Sequence, residues 1–441
     1  MKKPFAFQIL AVVALAFQLG GAFAAEAAPV PILKFAAKTD RADAFYKKGE
    51  TVTFSFSLTD KAKPVADGEV KWTLSKDGFG SIGTGSAKLD NGNITVTGKL
   101  DEPGILQCRV SYQAGKNAPA VTALAGAAID PLELKPSLPV PDDFDAFWAG
   151  QKKKLAEIPL KATLTEVKSA AKDVASFDVQ IECAGGVPVS GYFAKPEASQ
   201  SKSLPIILTV HGAGVRSAGL SGACGWAARG FLAMDINAHG IPNGKPDAFY
   251  KELADGKLKD YRSFGRDSRE TCYFVNMFLR EIRALDYLCS LPEWDGRNVI
   301  VYGGSQGGFQ AFAAAGLDER VTFFAAGVPA GCDHSGNVVG RIAGWPKLVP
   351  IGPDGKPDPK VLEAARYVDN VNFATRTKAK GCIVTTGFID TTCPPSSVYT
   401  AYNALTIPKQ IHTDPLAGHT STPGAAAAMQ KAVMEYIKTA K

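Results

Sequence analysis

Apolar and polar positions divide the chain into two regimes. From about residue 30 to residue 130 they alternate with a period of two. Thr51-Val52-Thr53-Phe54-Ser55-Phe56-Ser57-Leu58 has this pattern, as do residues 70–74 and 106–112, and Asp90-Asn91-Gly92-Asn93 forms a turn before Ile94-Thr95-Val96-Thr97. A period of two sends successive side chains to opposite faces, the mark of half-buried strands. Short strands separated by turn residues predict a small all-β sandwich, immunoglobulin-like, across residues 25–130.

From about residue 175 the alternation gives way to continuous apolar runs at 204–210, 231–236, 298–302, 323–328 and 382–389. Helix-compatible stretches separate them. The longest, 270–291, aligns Phe274, Phe278, Ile282, Leu285 and Leu288 on one stripe. Strands apolar on both faces, alternating with helices, predict an α/β domain with a mostly parallel sheet covered on both sides. Between the regimes, Pro131 to Pro141 is proline-rich, and Phe144, Phe147 and Trp148 follow at helical spacing after Asp142-Asp143. Residues 131–150 are thus read as a linker and docking helix, and 151–441 as the larger domain. Two excursions, 240–267 and 333–359, carry Gly, Pro and aromatic residues, as loops overhanging a site do.

The first 24 residues change the picture of where the protein works. Lys2 and Lys3 precede a mostly apolar run, 5–17, and Ala22-Phe23-Ala24 offers small residues for cleavage near Ala25. This is a signal peptide, too short and wrongly flanked for a stable membrane span. An exported protein, periplasmic or extracellular, is expected. The formal net charge of +6 falls by two without Lys2 and Lys3 and is scattered, so no nucleic-acid stripe is present.

Eight cysteines permit disulfides in an oxidising compartment. Cys108 stands alone before residue 130, so the sandwich has no internal bridge. Cys183, Cys289 and Cys382 read as small buried residues, while Cys224, Cys272, Cys332 and Cys393 are the better pairing candidates, with no connectivity fixed. Paired-His and His-Glu-x-x-His spacings are missing, which argues against a catalytic metal.

Three stretches in fixed order carry the chemistry: Gly303-Gly304-Ser305-Gln306-Gly307-Gly308, Asp390-Thr391-Thr392-Cys393-Pro394-Pro395 and Ala417-Gly418-His419. The first lies between an apolar run and a helix-compatible run, so Ser305 occupies a tight strand-to-helix turn. A lone Gly-x-Ser-x-Gly arises often by chance. Its strand–turn–helix setting, followed by an acid and then a histidine, is the order of an α/β-hydrolase. A serine hydroxyl needs a base to become nucleophilic, and that base needs a carboxylate to set its tautomer. Ser305, His419 and Asp390 are the expected catalytic residues. Oxyanion donors are expected from the amides of Gln306, after the serine, and Ala213, in His211-Gly212-Ala213-Gly214. His211 is read as a structural support for that loop. The glycine-rich turn lacks the Lys-Ser/Thr of a phosphate loop. No cofactor is expected.

These residues resemble the acetyl xylan esterase and cephalosporin C deacetylase family of α/β-hydrolases. The likeness spans about 139–438 and includes Pro141-Asp142-Asp143-Phe144-Asp145-Ala146-Phe147-Trp148 and Tyr367-Val368-Asp369-Asn370-Val371-Asn372-Phe373-Ala374. It implies the same triad, the same oxyanion donors and an acetylated saccharide, xylan or xylo-oligosaccharides, as substrate. It also brings a homo-oligomer, ring or dimer, into view, with the added sandwich free to change the assembly. Two departures fall beside the site: Asn237-Ala238-His239-Gly240 replaces the family's Arg-Gly-Gln, and Thr420 follows the histidine where Glu is common. They bear on substrate choice. Tyr250, Tyr261 and Trp345, together with His239 at a strand end, are the expected saccharide contacts. Two rivals remain at this stage. One is an exported carboxylesterase or peptidase of the same fold, and the other is an inactive carbohydrate-binding protein.

Overall fold

The structure is a computed structural model and describes residues 32–440. The signal peptide read at 1–24 lies outside the described residues. Nine strands come first: β1 (Leu33–Thr39), β2 (Phe45–Tyr46), β3 (Val52–Asp60), β4 (Lys63–Pro64), β5 (Glu69–Lys76), β6 (Phe79–Lys88), β7 (Asn93–Gly98), β8 (Gly104–Tyr112) and β9 (Val121–Ile129). They form two sheets. One runs β1-β3-β4, with β7 also on β3, and the other runs β2-β9-β8-β5-β6. The alternation that predicted β3 places Val52, Phe54, Phe56 and Leu58 in the core. Two sheets pairing their inner faces in this strand order make an immunoglobulin-like sandwich. Cys108 is buried in β8 and apolar packing, not a bridge, joins the sheets.

A second set of nine strands builds one large sheet: β10 (Ala162–Glu166), β11 (Val174–Ile181), β12 (Val189–Pro196), β13 (Leu204–Val210), β14 (Leu232–Ile236), β15 (Trp294–Gly304), β16 (Phe323–Gly327), β17 (Gly381–Gly387) and β18 (Lys409–Asp414). Their order is β10-β11-β12-β14-β13-β15-β16-β17-β18. The pairs from β10 to β14 through β12 are antiparallel, and all pairs from β14 to β18 are parallel. The five apolar runs became β13 to β17, the central strands. Parallel strands send their carboxyl ends the same way, so the loops after β13, β15, β17 and β18 meet at one edge.

Helices cover both faces. Tyr273–Ser290 packs its Phe274 and Phe278 on Phe309 of the helix Gln306–Leu317, with ring centroids 5.2 and 5.0 Å apart. The docking helix, Phe144–Ala156, buries Phe144, Phe147 and Trp148 against Tyr367, Phe373 and Phe278. The Trp148 indole N–H donates to Tyr367 O at 2.9 Å. The preceding linker is also bound down. Ser137 donates its hydroxyl to buried Asp333 at 2.7 Å, and Arg341 reaches Lys135 O at 2.7 Å.

The cysteines that the sequence offered as the better pairing candidates are unpaired in the structure. All eight are free; Cys224, Cys272, Cys332 and Cys393 are buried, as are Cys108, Cys183 and Cys382, while Cys289 is half-buried. Small thiols here fill core space.

Candidate active site

Ser305 sits between β15 and the helix Gln306–Leu317, with φ 56° and ψ −119°. A positive φ is uncommon for a side chain with a Cβ and stores strain. The surroundings enforce it. A Cβ on Gly303 would stand 2.4 Å from the Gly307 carbonyl carbon, and one on Gly307 2.2 Å from Val210 O. Strand β15, the helix and the end of β13 thus approach too closely for any side chain at either position. Ser305 N–H donates to Gly327 O at 2.8 Å, and Ser305 O accepts from Phe309 and Ala330.

His419 and Asp390 arrive from the loops after β18 and β17. The imidazole Nε2 lies 2.8 Å from Ser305 Oγ and Nδ1 lies 2.8 Å from Asp390 Oδ2. An ionised carboxylate only accepts, so Nδ1 carries the proton and Nε2 is left to accept from the serine. Asp390 is fully buried, and its other oxygen accepts from the amides of Thr392 and Cys393, both at 2.8 Å. Those bonds offset the cost of burying the charge. The two loops are joined as well, since Ile389 N–H donates to Ala417 O at 3.2 Å.

The loop 211–214 lies against this elbow, since a Cβ on Gly212 would be 3.5 Å from Ser305 Cβ. Ala213 is in this loop, and Gln306 supplies the first amide of its helix, which has no intrahelical acceptor. His211 accepts from Ala238 N–H on Nε2 at 3.4 Å and donates from Nδ1 to Gly212 O at 2.6 Å. Burial pushes its pKa down to about 4, keeping it neutral.

The expected saccharide contacts land elsewhere, with one exception. His239 is buried; it donates from Nε2 to Gly214 O at 3.2 Å and accepts from Tyr273 at 2.7 Å on Nδ1. Burial holds it neutral, with a pKa near 3. Tyr261 is buried too, accepting from Gly214 N–H at 3.4 Å and donating to Gln306 Oε1 at 2.6 Å. These two side chains grip both peptide groups of Gly214 from behind and leave no face for a sugar. Tyr250 is buried and spends its hydroxyl on Pro242 O and Lys245 N. Only Trp345 faces open space. With Ser263, Arg266, Leu348, Thr391 and Thr392 it lines a cavity of about 430 Å³ between the two excursions. The triad does not line this cavity, but Thr391 and Thr392 directly follow Asp390. Among the described residues no cluster of His, Cys, Asp or Glu is placed to hold a metal ion.

The geometry joins a strained serine to a buried acid through an imidazole, and sequence comparison shows the family. The acetyl xylan esterase family model matches residues 129–438, most of the chain. The chain belongs to the acetyl xylan esterase family. It is accordingly a carboxylic ester hydrolase. The acetyl esterase Axe7A of Xylanibacter ruminicola is 32% identical over 392 residues, covering 87% of this chain and 86% of its own. An acetyl xylan esterase from Paenibacillus sp. R4 is 30% identical with a TM-score of 0.60, over 69% of this chain and 98% of that one. Acetyl xylan esterase 1 from Thermoanaerobacterium sp. JW/SL YS485 shares the fold at 22% identity and a TM-score of 0.55, over 69% and 97% of the two chains. The family model begins at residue 129, so the sandwich stands outside the matched region.

Proposed function

We propose that the protein removes acetyl groups from acetylated xylan or xylo-oligosaccharides through an acetyl-serine intermediate. The observation that carries this reading is the unbroken bond series from Ser305 Oγ through His419 to Asp390. As Oγ attacks the ester carbonyl, His419 Nε2 takes its proton and Asp390 stabilises the resulting imidazolium. The amides of Ala213 and Gln306 are assigned to the oxyanion. Collapse breaks the bond to the sugar oxygen, which leaves with the proton from His419. Water then attacks the acetyl carbonyl, gives its proton to the same nitrogen and frees acetate and Ser305.

The cavity beside Thr391 and Thr392 supports a saccharide subsite, with Trp345 offering an aromatic face. The leader at 1–24 supports export to the periplasm or beyond. No helix among the described residues is long and apolar enough to cross a membrane.

The test is acetate release from acetylated xylo-oligosaccharides by the wild type and by Ser305→Ala. The variant should stay folded and lose both turnover and fluorophosphonate labelling. Retained turnover in a clean preparation removes Ser305 from the nucleophile role.

A further inference from the structure

The sandwich touches the larger domain at the segment that bears Asp390. Gln107 in β8 is 1% exposed, and its Nε2 donates to Phe388 O at 2.8 Å. Phe388 stands two residues before Asp390. Gly126 of β9 pairs with Gln107 across the sheet, and a Cβ there would lie 2.6 Å from the same carbonyl oxygen. Phe45 of β2 meets the Phe388 ring edge-on at 5.5 Å. Side chain, backbone and ring thus converge on one residue.

On the other side of the acid lies the β5–β6 turn. Asp77 there is 1% exposed and faces Ser396, in the first turn of the helix Pro395–Ala404. Burial pushes the Asp77 pKa up to about 6, and neither of its carboxylate oxygens has an aligned hydrogen-bond partner. Gly78 comes against Thr391, with a Cβ there 3.8 Å from Thr391 Cγ2. The sandwich therefore holds Phe388 on one side of Asp390 and lies against Thr391 on the other. From within the larger domain the same stretch is fixed by Phe388 N–H to Asp414 O at 3.0 Å and by the Ile389 bond to Ala417, two residues before His419. A shift at Phe388 would move the acid and, through Ala417, the base.

We propose that the N-terminal sandwich is a positioning element of the catalytic site, in which Gln107 and Gly126 fix Phe388 and so the aim of Asp390 at His419. The proposal rests on the triad reading above. It assigns Gln107 no contact with substrate. An error of about 1 Å in such an alignment can lower a rate about 100-fold.

The experiment uses the full chain, p-nitrophenyl acetate and the variants Gln107→Met and Gly126→Ala, each in the wild-type and Asp390→Asn backgrounds. Gln107→Met preserves length and removes the donor; Gly126→Ala leaves Gln107 intact and pushes on the carbonyl. In the wild-type background kcat should fall about 10- to 100-fold with KM changed less than about twofold. In the Asp390→Asn background, where there is no carboxylate to aim, either change should cost less than about twofold. Arg109→Ala, on the same strand but exposed, should leave kcat unchanged. Unchanged kcat in folded Gln107→Met, a change in KM alone, or equal losses in both backgrounds would overturn the proposal. If Gln107→Met does not fold, Gly126→Ala decides by the same criteria. Failure of the triad reading would show separately, as undiminished activity in Ser305→Ala or Asp390→Asn.

Discussion

Tyr261 donates its hydroxyl to Gln306 Oε1 at 2.6 Å, tying the first excursion to the residue directly after the elbow serine. Both side chains are buried, so the bond has no water to replace it. Tyr261→Phe should leave Gln306 Oε1 unpaired and Gly214 N–H less well held. We expect a loss of about 1–3 kcal/mol in urea unfolding. A several-fold drop in kcat should accompany it, because Gly214 adjoins Ala213. Unchanged stability and turnover would remove Tyr261 from this supporting role.

The acid can be tested by changing its charge alone. Asp390→Asn keeps the shape but offers an amide to His419 Nδ1, favouring the wrong tautomer. Turnover of p-nitrophenyl acetate should fall about 10⁴-fold, with the fold retained by circular dichroism. A loss of only a few-fold would show that Asp390 does not serve the base.

Trp345 separates sugar recognition from chemistry. Trp345→Ala should raise KM for acetylated xylo-oligosaccharides about three- to tenfold and leave KM for p-nitrophenyl acetate nearly unchanged. Equal effects on both substrates would place Trp345 outside a saccharide subsite.

Buried titratable groups set an acid response. His334 is fully enclosed beside Phe309, neither ring nitrogen has an aligned partner, and burial pushes its pKa down to about 4. Unfolded, it would take a proton near pH 6.5, so it withdraws stability as pH falls from 6.5 to 4. Asp369 lies close by and acts in the opposite sense. Its pKa is pushed up to about 7, mainly by burial and then by Asp333, so the native state takes up its proton first and gains stability as pH falls below 7. The diagnostic is therefore a difference between proteins. His334→Phe should gain on the wild type as pH drops, by on the order of 3 kcal/mol at pH 4. A pH-independent difference would mean that His334 titrates normally.

Much of this architecture was legible because its strongest signals are backbone requirements. Strands β13 to β17 are apolar on both faces, and Gly303 and Gly307 mark a turn that admits no side chain. Strands β10 and β18 were not legible. They lie at the sheet edges, and Ala162–Glu166 and Lys409–Asp414 are mostly exposed or half-buried, with little apolar pattern to read. The meeting of Ser305, His419 and Asp390 could be expected from spacing and order, since each stands just after a strand. His239, Tyr250 and Tyr261 were misplaced because an aromatic in a loop gives no sign of which way it faces. All three turned inward, where backbone groups needed partners. Gln107 gave little warning, as a polar residue in an alternating strand normally faces water and here the partner came from 281 positions away.

The backbone angles of Ser305 set a limit on improving this enzyme. Ser305→Gly would relieve the positive φ and so favour the folded form on conformational grounds, while deleting the hydroxyl to which the proposed acyl transfer is assigned. Selection for heat resistance alone would thus reward erosion of the elbow, and selection for turnover would restore it. Durable variants that remain active should carry their gains far from position 305.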